Sequence, residues 1–181
     1  MIRLKLLFSI AEKADSFVLF AFLKNITLSL MMEHFMSTFG AFTVISSSIH
    51  ANKILLIKRR DFPLWDLPGG RVESDESPEH AAVREAWEES GFEIEIERFT
   101  GTYHNTELDD FQFIYQGKIV GGSSLESGDE TAAIDFFPVD KLPLLMVPHR
   151  KMQIKKALTD SSKPLIVEIR DSFLVRYFKK K

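Results

Sequence analysis

The stretch Gly70–Phe92, GRVESDESPEHAAVREAWEESGF, constrains this chain more than any other. It opens on a glycine, runs through a polar loop and turns into a helix at Ser77-Pro78. Serine there supplies the N-cap and proline takes the first helical position. Ala81, Ala82 and Ala86 favour the helix, and Gly91 ends it. On such a helix Glu85 precedes Glu88 and Glu89 by three and four residues, so the three carboxylates share a face. They lie toward the helix C-terminus, where the macrodipole gives them no support. A divalent cation resolves that repulsion: Mg2+ takes hard oxygen ligands and keeps waters and phosphate oxygens in its shell. A solvated acidic face with Arg84 as a local partner is the plainer reading, but it explains neither the glycines nor the loop spacing.

The surrounding pattern is a mixture of strands and helices. Phe39–Ser48 and Lys53–Arg60 predict two strands around a turn at His50–Asn52. Trp65–Gly70, WDLPGG, is a short extended piece ending in a glycine pair. Phe92–Phe99 alternates with period two and predicts a strand. Phe111–Val120 and Ile134–Phe137 predict two more, Gly121–Glu130 a polar loop, and Val147–Leu158 a helix. The expected class is α/β of the α+β type, a mixed β-sheet sandwiched between helices. With 181 residues and no repeat or linker, one main domain is expected.

Composition removes several alternatives. The chain has no cysteine, which excludes disulfides, thiolate metal sites and cysteine nucleophiles. Its formal net charge of -3 argues against a nucleic-acid backbone as partner. A reducing, cytoplasmic setting fits. The first residues, MIRLKLLFSIAEKAD, begin like a signal peptide, but Leu6–Ala11 is too short for its apolar core. Ser16–Met32 is interrupted by Lys24, against a stable membrane span. Residues 1–36 therefore read as an extension of uncertain status, with Met31, Met32 and Met36 as alternative starts. A chain beginning at Met36 is expected to fold and keep its activity.

Gly70, Glu76, Arg84, Glu85, Glu88, Glu89, Gly91 and Phe92 match the pattern G-x5-E-x7-R-E-U-x-E-E-x-G-U, where U is a bulky apolar residue. This segment resembles the Nudix box, with Ala86 smaller than usual at the first U. WDLPGG and Asp135–Pro143, DFFPVDKLP, look like further parts of a MutT-like Nudix hydrolase domain. The resemblance covers residues 37–160 and leaves 161–181 as a C-terminal strand or tail.

The resemblance implies water attack on one phosphorus of a P–O–P bridge with help from Mg2+, for which Mn2+ can substitute. It implies that the carbonyl of Gly69 joins Glu85, Glu88 and Glu89 on the metal. Gly70, Glu76, Arg84 and Gly91 support the site, with Arg84 as a bidentate partner of neighbouring carboxylates. The proton acceptor is Glu85, Glu88 or Glu130, with Glu126 and Asp129 in reserve. Arg59, Arg60 and Arg71, and also Lys58, could reach the phosphates. Tyr103, Phe111, Phe113 and Tyr115 could form a shelf for a base, although strand alternation favours core packing for the last three. His149 reads as structural.

The expected substrate is a small nucleotide-like molecule, a nucleoside diphosphate linked to another moiety such as ADP-ribose. The alternatives are oxidised nucleoside triphosphates, or a non-catalytic nucleotide-binding regulatory domain, which the intact box disfavours. A homodimer stays open. The isomerase branch of the superfamily needs a cysteine that this chain lacks.

Overall fold

The structure is a computed structural model that describes residues 37–47, 52–125, 128, 130–159 and 163–170. The expectations for residues 1–36, Glu126 and Asp129 lie outside the described residues. Among the described residues the elements are β1 (Thr38–Ser46), β2 (Lys53–Arg59), β3 (Trp65–Asp66), β4 (Gly69–Arg71), α1 (Pro78–Ser90), β5 (Phe92–Asn105), β6 (Asp110–Gly122), β7 (Thr131–Pro138), α2 (Arg150–Ala157) and β8 (Leu165–Ile169).

The strands form one mixed sheet in the order β3-β2-β1-β6-β5-β8, with β4 paired to β1 and β7 to β2. The β1–β6 and β5–β8 pairings are parallel, and the others are antiparallel. Side chains alternate across β1 and β2. Phe42, Val44, Ile54 and Leu56 join Ile154 and Ala157 of α2 in one core cluster. Ala41 packs with Ala81 and Ala82 of α1, and Ile45 and Leu55 with Ala86. The helices therefore cover opposite faces, as expected.

The ends of α1 follow the sequence. Ser77 is extended, and its hydroxyl accepts the His80 N–H at 3.2 Å. Gly91 closes the helix at φ 77°, a left-handed conformation that costs glycine little. Two boundaries differ from expectation. The second helix begins at Arg150 rather than Val147, because the preceding backbone runs beside β3 instead. Trp65 N–H bonds the Leu145 carbonyl at 2.9 Å, and Val147 N–H bonds the Trp65 carbonyl at 3.0 Å. His149 accordingly precedes the helix rather than lying within it. β5 runs on to Asn105, past the expected end at Phe99, since register shifts against β6 break its period-two signal.

One buried polar network was not legible from the sequence. Arg150 bonds Asp66 through Nε, Gln112 at 3.0 Å and Gln153 at 2.8 Å, and its guanidinium lies 3.6 Å over the Phe42 ring. Arg150 and Asp66 are each 3% exposed. Arg150→Met keeps the bulk but leaves the Asp66 charge without its main partner. It should cost about 3–5 kcal/mol, read as a lower urea midpoint.

Candidate active site

The site forms where β4 meets α1. Short β4 pairs with β1, setting Gly69 opposite Phe42 and Gly70 opposite Ala41. Close approach explains the second glycine: a Cβ on Gly70 would lie 2.5 Å from the Glu85 carboxylate. Backbone and acid can meet only because the side chain is absent.

Glu89 is the most enclosed acid of the box, at 7% exposure. Its carboxylate accepts the Gly69 N–H at 2.8 Å. Burial pushes its pKa up to about 8, against the lowering effect of the Gly69 bond, and the charges of Glu85 and Asp66 add to the rise. Burial also raises Glu85, partly countered by Arg84. Arg84 forks onto Glu76 at 2.6 and 3.1 Å and reaches Glu85 and Glu88 at 3.0 Å each. It also donates to the Arg71 carbonyl at 3.1 Å. Glu76 in turn accepts the Glu73 N–H at 3.0 Å, and its pKa falls chiefly through the Arg84 hydrogen bonds. One guanidinium thus ties the loop to the acidic face of the helix.

Glu85 and Glu89 line a cavity of about 490 Å³ together with Gly69, Gly70, Arg59, Arg71, Phe39, Phe42 and Glu130. Glu88 is more exposed and lines an adjoining space with Glu73, Arg84, Glu85, Glu89 and Glu130. Glu130, distant in sequence, is therefore brought to the same acids. Arg59 is held by Asp61 at 2.7 and 2.9 Å and stands 3.9 Å from Asp66. Arg60 donates to the Gly128 carbonyl at 2.8 Å and shares a smaller cavity with Arg59, Asp61 and Glu130. Lys58 lies within the sheet, opposite Trp65 and Ala133.

The aromatic residues divide. Tyr103 is fully buried on the α2 side of the sheet. Tyr115 and Phe113 pack beneath α1. Phe111 stacks on His104 at 4.1 Å between centroids and on Phe39 at 5.6 Å. Phe39, which sequence reasoning did not single out, is the aromatic residue of that stack that borders the cavity. His149 lines a second cavity of about 350 Å³ with Arg59, Asp66, Gln112 and Arg150.

The donors suit a divalent cation. They are hard oxygens, and the charge repulsion and burial that raise Glu85 and Glu89 are what a cation would relieve. Among the described residues no three acidic or histidine side chains are already gathered at ligating distance. Arg84 holds Glu85 and Glu88, and Gly69 holds Glu89, and each carboxylate keeps lone pairs beyond these contacts.

No helix among the described residues is long and apolar enough to cross a membrane. The family model for the NUDIX domain matches residues 35–158. A Bacillus subtilis protein named "Putative 8-oxo-dGTP diphosphatase" is 41% identical over 140 residues, 77% of this chain and 92% of that protein. An ADP-ribose pyrophosphatase of Methanocaldococcus jannaschii is 36% identical over 108 residues, 56% of this chain and 63% of that one. The crystal structure of an ADP-ribose pyrophosphatase from Streptococcus suis superposes with a TM-score of 0.62 at 25% identity, covering 74% of this chain and 100% of that one. The box, the fold around it and these matches agree: the chain belongs to the Nudix family of hydrolases.

Proposed function

We propose that this chain hydrolyses the diphosphate linkage of a nucleoside diphosphate joined to another moiety, in a reaction that requires Mg2+. The observation that carries this reading is the shared cavity, in which Glu85 and Glu89 face Gly69, Gly70, Arg59 and Arg71. Glu85, Glu88, Glu89 and the Gly69 carbonyl would hold the cation. When bound, Mg2+ supplies neutralisation of the diphosphate charge and polarisation of its oxygens. Arg59 and Arg71 bind phosphate oxygens, and Arg59 exchanges its Asp61 partner for them. Arg84 keeps Glu85 and Glu88 oriented through its contacts with both. The lining of the two adjoining cavities supports Glu85, Glu88 or Glu130 as the group that takes the proton of the attacking water.

The names of the Methanocaldococcus and Streptococcus relatives support an ADP-ribose-like substrate. A second reading, an oxidised nucleoside triphosphate, is favoured by the higher identity and coverage of the Bacillus relative. Turnover of ADP-ribose, 8-oxo-dGTP and dGTP, each with Mg2+, Mn2+ or excess EDTA, separates the two. Activity on at least one substrate with metal, abolished by chelator, is expected. Undiminished turnover in EDTA would sink the metal reading, and no turnover of any compound would sink the hydrolytic one.

A further inference from the structure

The catalytic cavity holds one carboxylate outside the Nudix box that the proposed chemistry does not use. Asp110 opens β6 and lines the same cavity as Gly69, Glu85 and Glu89. Both of its oxygens are pinned: Oδ1 accepts the Thr38 hydroxyl at 2.6 Å, and Oδ2 accepts the Gln112 amide at 2.8 Å. Gln112 is fixed in turn by Arg150 and Gln153, each at 3.0 Å. This relay runs back to the buried Asp66. The fold therefore gives a carboxylate at the cavity wall a single orientation.

Electrostatics says which part of a substrate can lie there. With a cation held by the acids beside the glycine pair, that end together with Arg59 and Arg71 would draw phosphate, whereas Asp110 stands outside that set of acids and repels it. Along β1, Phe42 pairs with Gly69 and Thr38 with Asp110, so the glycine pair and Asp110 stand about 13 Å apart along the strand. The diphosphate belongs at the glycine end and the uncharged part of the molecule at the Asp110 end. An ionised carboxylate accepts hydrogen bonds and donates none, and Thr38 and Gln112 leave it spare lone pairs.

We propose that Asp110 is a specificity-determining residue that accepts a hydrogen bond from a donor on the uncharged part of the substrate, a sugar hydroxyl or a base amine. The proposal rests on the hydrolase reading for its orientation, but its test is binding rather than turnover. Calorimetry with Ca2+ in place of Mg2+ compares ADP with 2′,3′-dideoxy-ADP, which lacks the ribose hydroxyls, and with purine riboside 5′-diphosphate, which lacks the exocyclic amine. Wild type should bind ADP about 10-fold more tightly than one of the two analogues, the weaker one identifying the donor. In Asp110→Ala, which removes both acceptor oxygens, that gap should close to within about twofold. A purely structural role for Asp110 would weaken all three ligands together and leave the ratio standing. Should Asp110→Ala misfold, Thr38→Val loosens the same carboxylate and should narrow the same ratio. No gap in wild type, no binding of any of the three, or a gap that survives both substitutions would overturn the proposal. A gap that closes as expected in a protein that hydrolyses nothing would overturn only the hydrolase reading.

Discussion

Glu89→Gln is expected to lower kcat by about a hundredfold or more, the scale on which loss of a charge stabiliser is felt in an enclosed site. The substitution is unusually clean. Glutamine keeps the size of glutamate, and its amide oxygen can still accept the Gly69 N–H that Glu89 now accepts. It also removes a carboxyl whose ionisation burial disfavours, so the metal-free variant should melt no lower than wild type. Lost activity therefore cannot be blamed on lost folding. Glu79→Gln is the control. Glu79 lies in the first turn of the same helix, exposed and outside the box pattern, and it lines no wall of the Glu85–Glu89 cavity. Steady-state rates for both variants at saturating Mg2+ decide the matter. Equal, slight losses in the two would mean that the helix carries a solvated acidic face and no catalytic centre.

The second large effect is a stability that declines as pH rises in the metal-free protein. Glu89 has a folded pKa of about 8 against an ordinary value of 4.5. Below pH 4.5 the carboxyl is protonated in the folded and unfolded chains alike, and its burial carries no charge penalty. Between 4.5 and about 8 the unfolded chain has released the proton and the folded chain retains it. Stability then falls with rising pH, and above about 8 the full cost is present. That cost is on the order of a few kcal/mol. Glu85 is raised too and acts in the same direction. Asp61, Glu76 and Asp109 are lowered, so their contributions are lost only at pH below the ordinary carboxylate range, outside this window. A cation must displace the Glu89 proton, so Mg2+ should raise the melting temperature more at pH 8 than at pH 6, with proton release detectable in weakly buffered solution. Melting curves in EDTA and in Mg2+ across this range provide the check. A flat EDTA series, or a Glu89→Gln variant with the same slope as wild type, would show that Glu89 is not the titrating group.

What the sequence made legible depended on how local the physics was. Ser77, Pro78 and Gly91 mark the ends of α1 because caps and stops are decided within a few residues. The grouping of Glu85 with Glu89 followed from helical spacing alone, and the fork of Arg84 onto Glu76 sits where the box implies it. The Arg150–Asp66–Gln112 network left no such trace, since its members lie 84 and 38 residues apart and each is unremarkable in its own segment. Asp110 and Phe39 carry no local signal for the same reason. Asp110 borders the cavity because β1 pairs with β6 at Thr38↔Asp110, and Phe39 because β1 also carries β4 along Gly40–Phe42. The apolar residues before Arg150 extend the helical pattern of the sequence back into a stretch whose hydrogen bonds go to Trp65 instead.

The parallel pairing of β1 with β6 also makes the cavity depend on distant parts of the chain. Thr38 and Asp110 are 72 residues apart, and parallel strands so distant in sequence pay a large loop-closure entropy before they gain any contacts. β5 and β6 are joined by a short turn and can zip together first. β1 leaves the ribosome well before its central partner has been synthesised. Its other edge carries β4, and with it the glycine pair that receives Glu89. The acids of the helix are thus neighbours in sequence, whereas the wall that Asp110 gives their cavity depends on contacts between segments 72 residues apart.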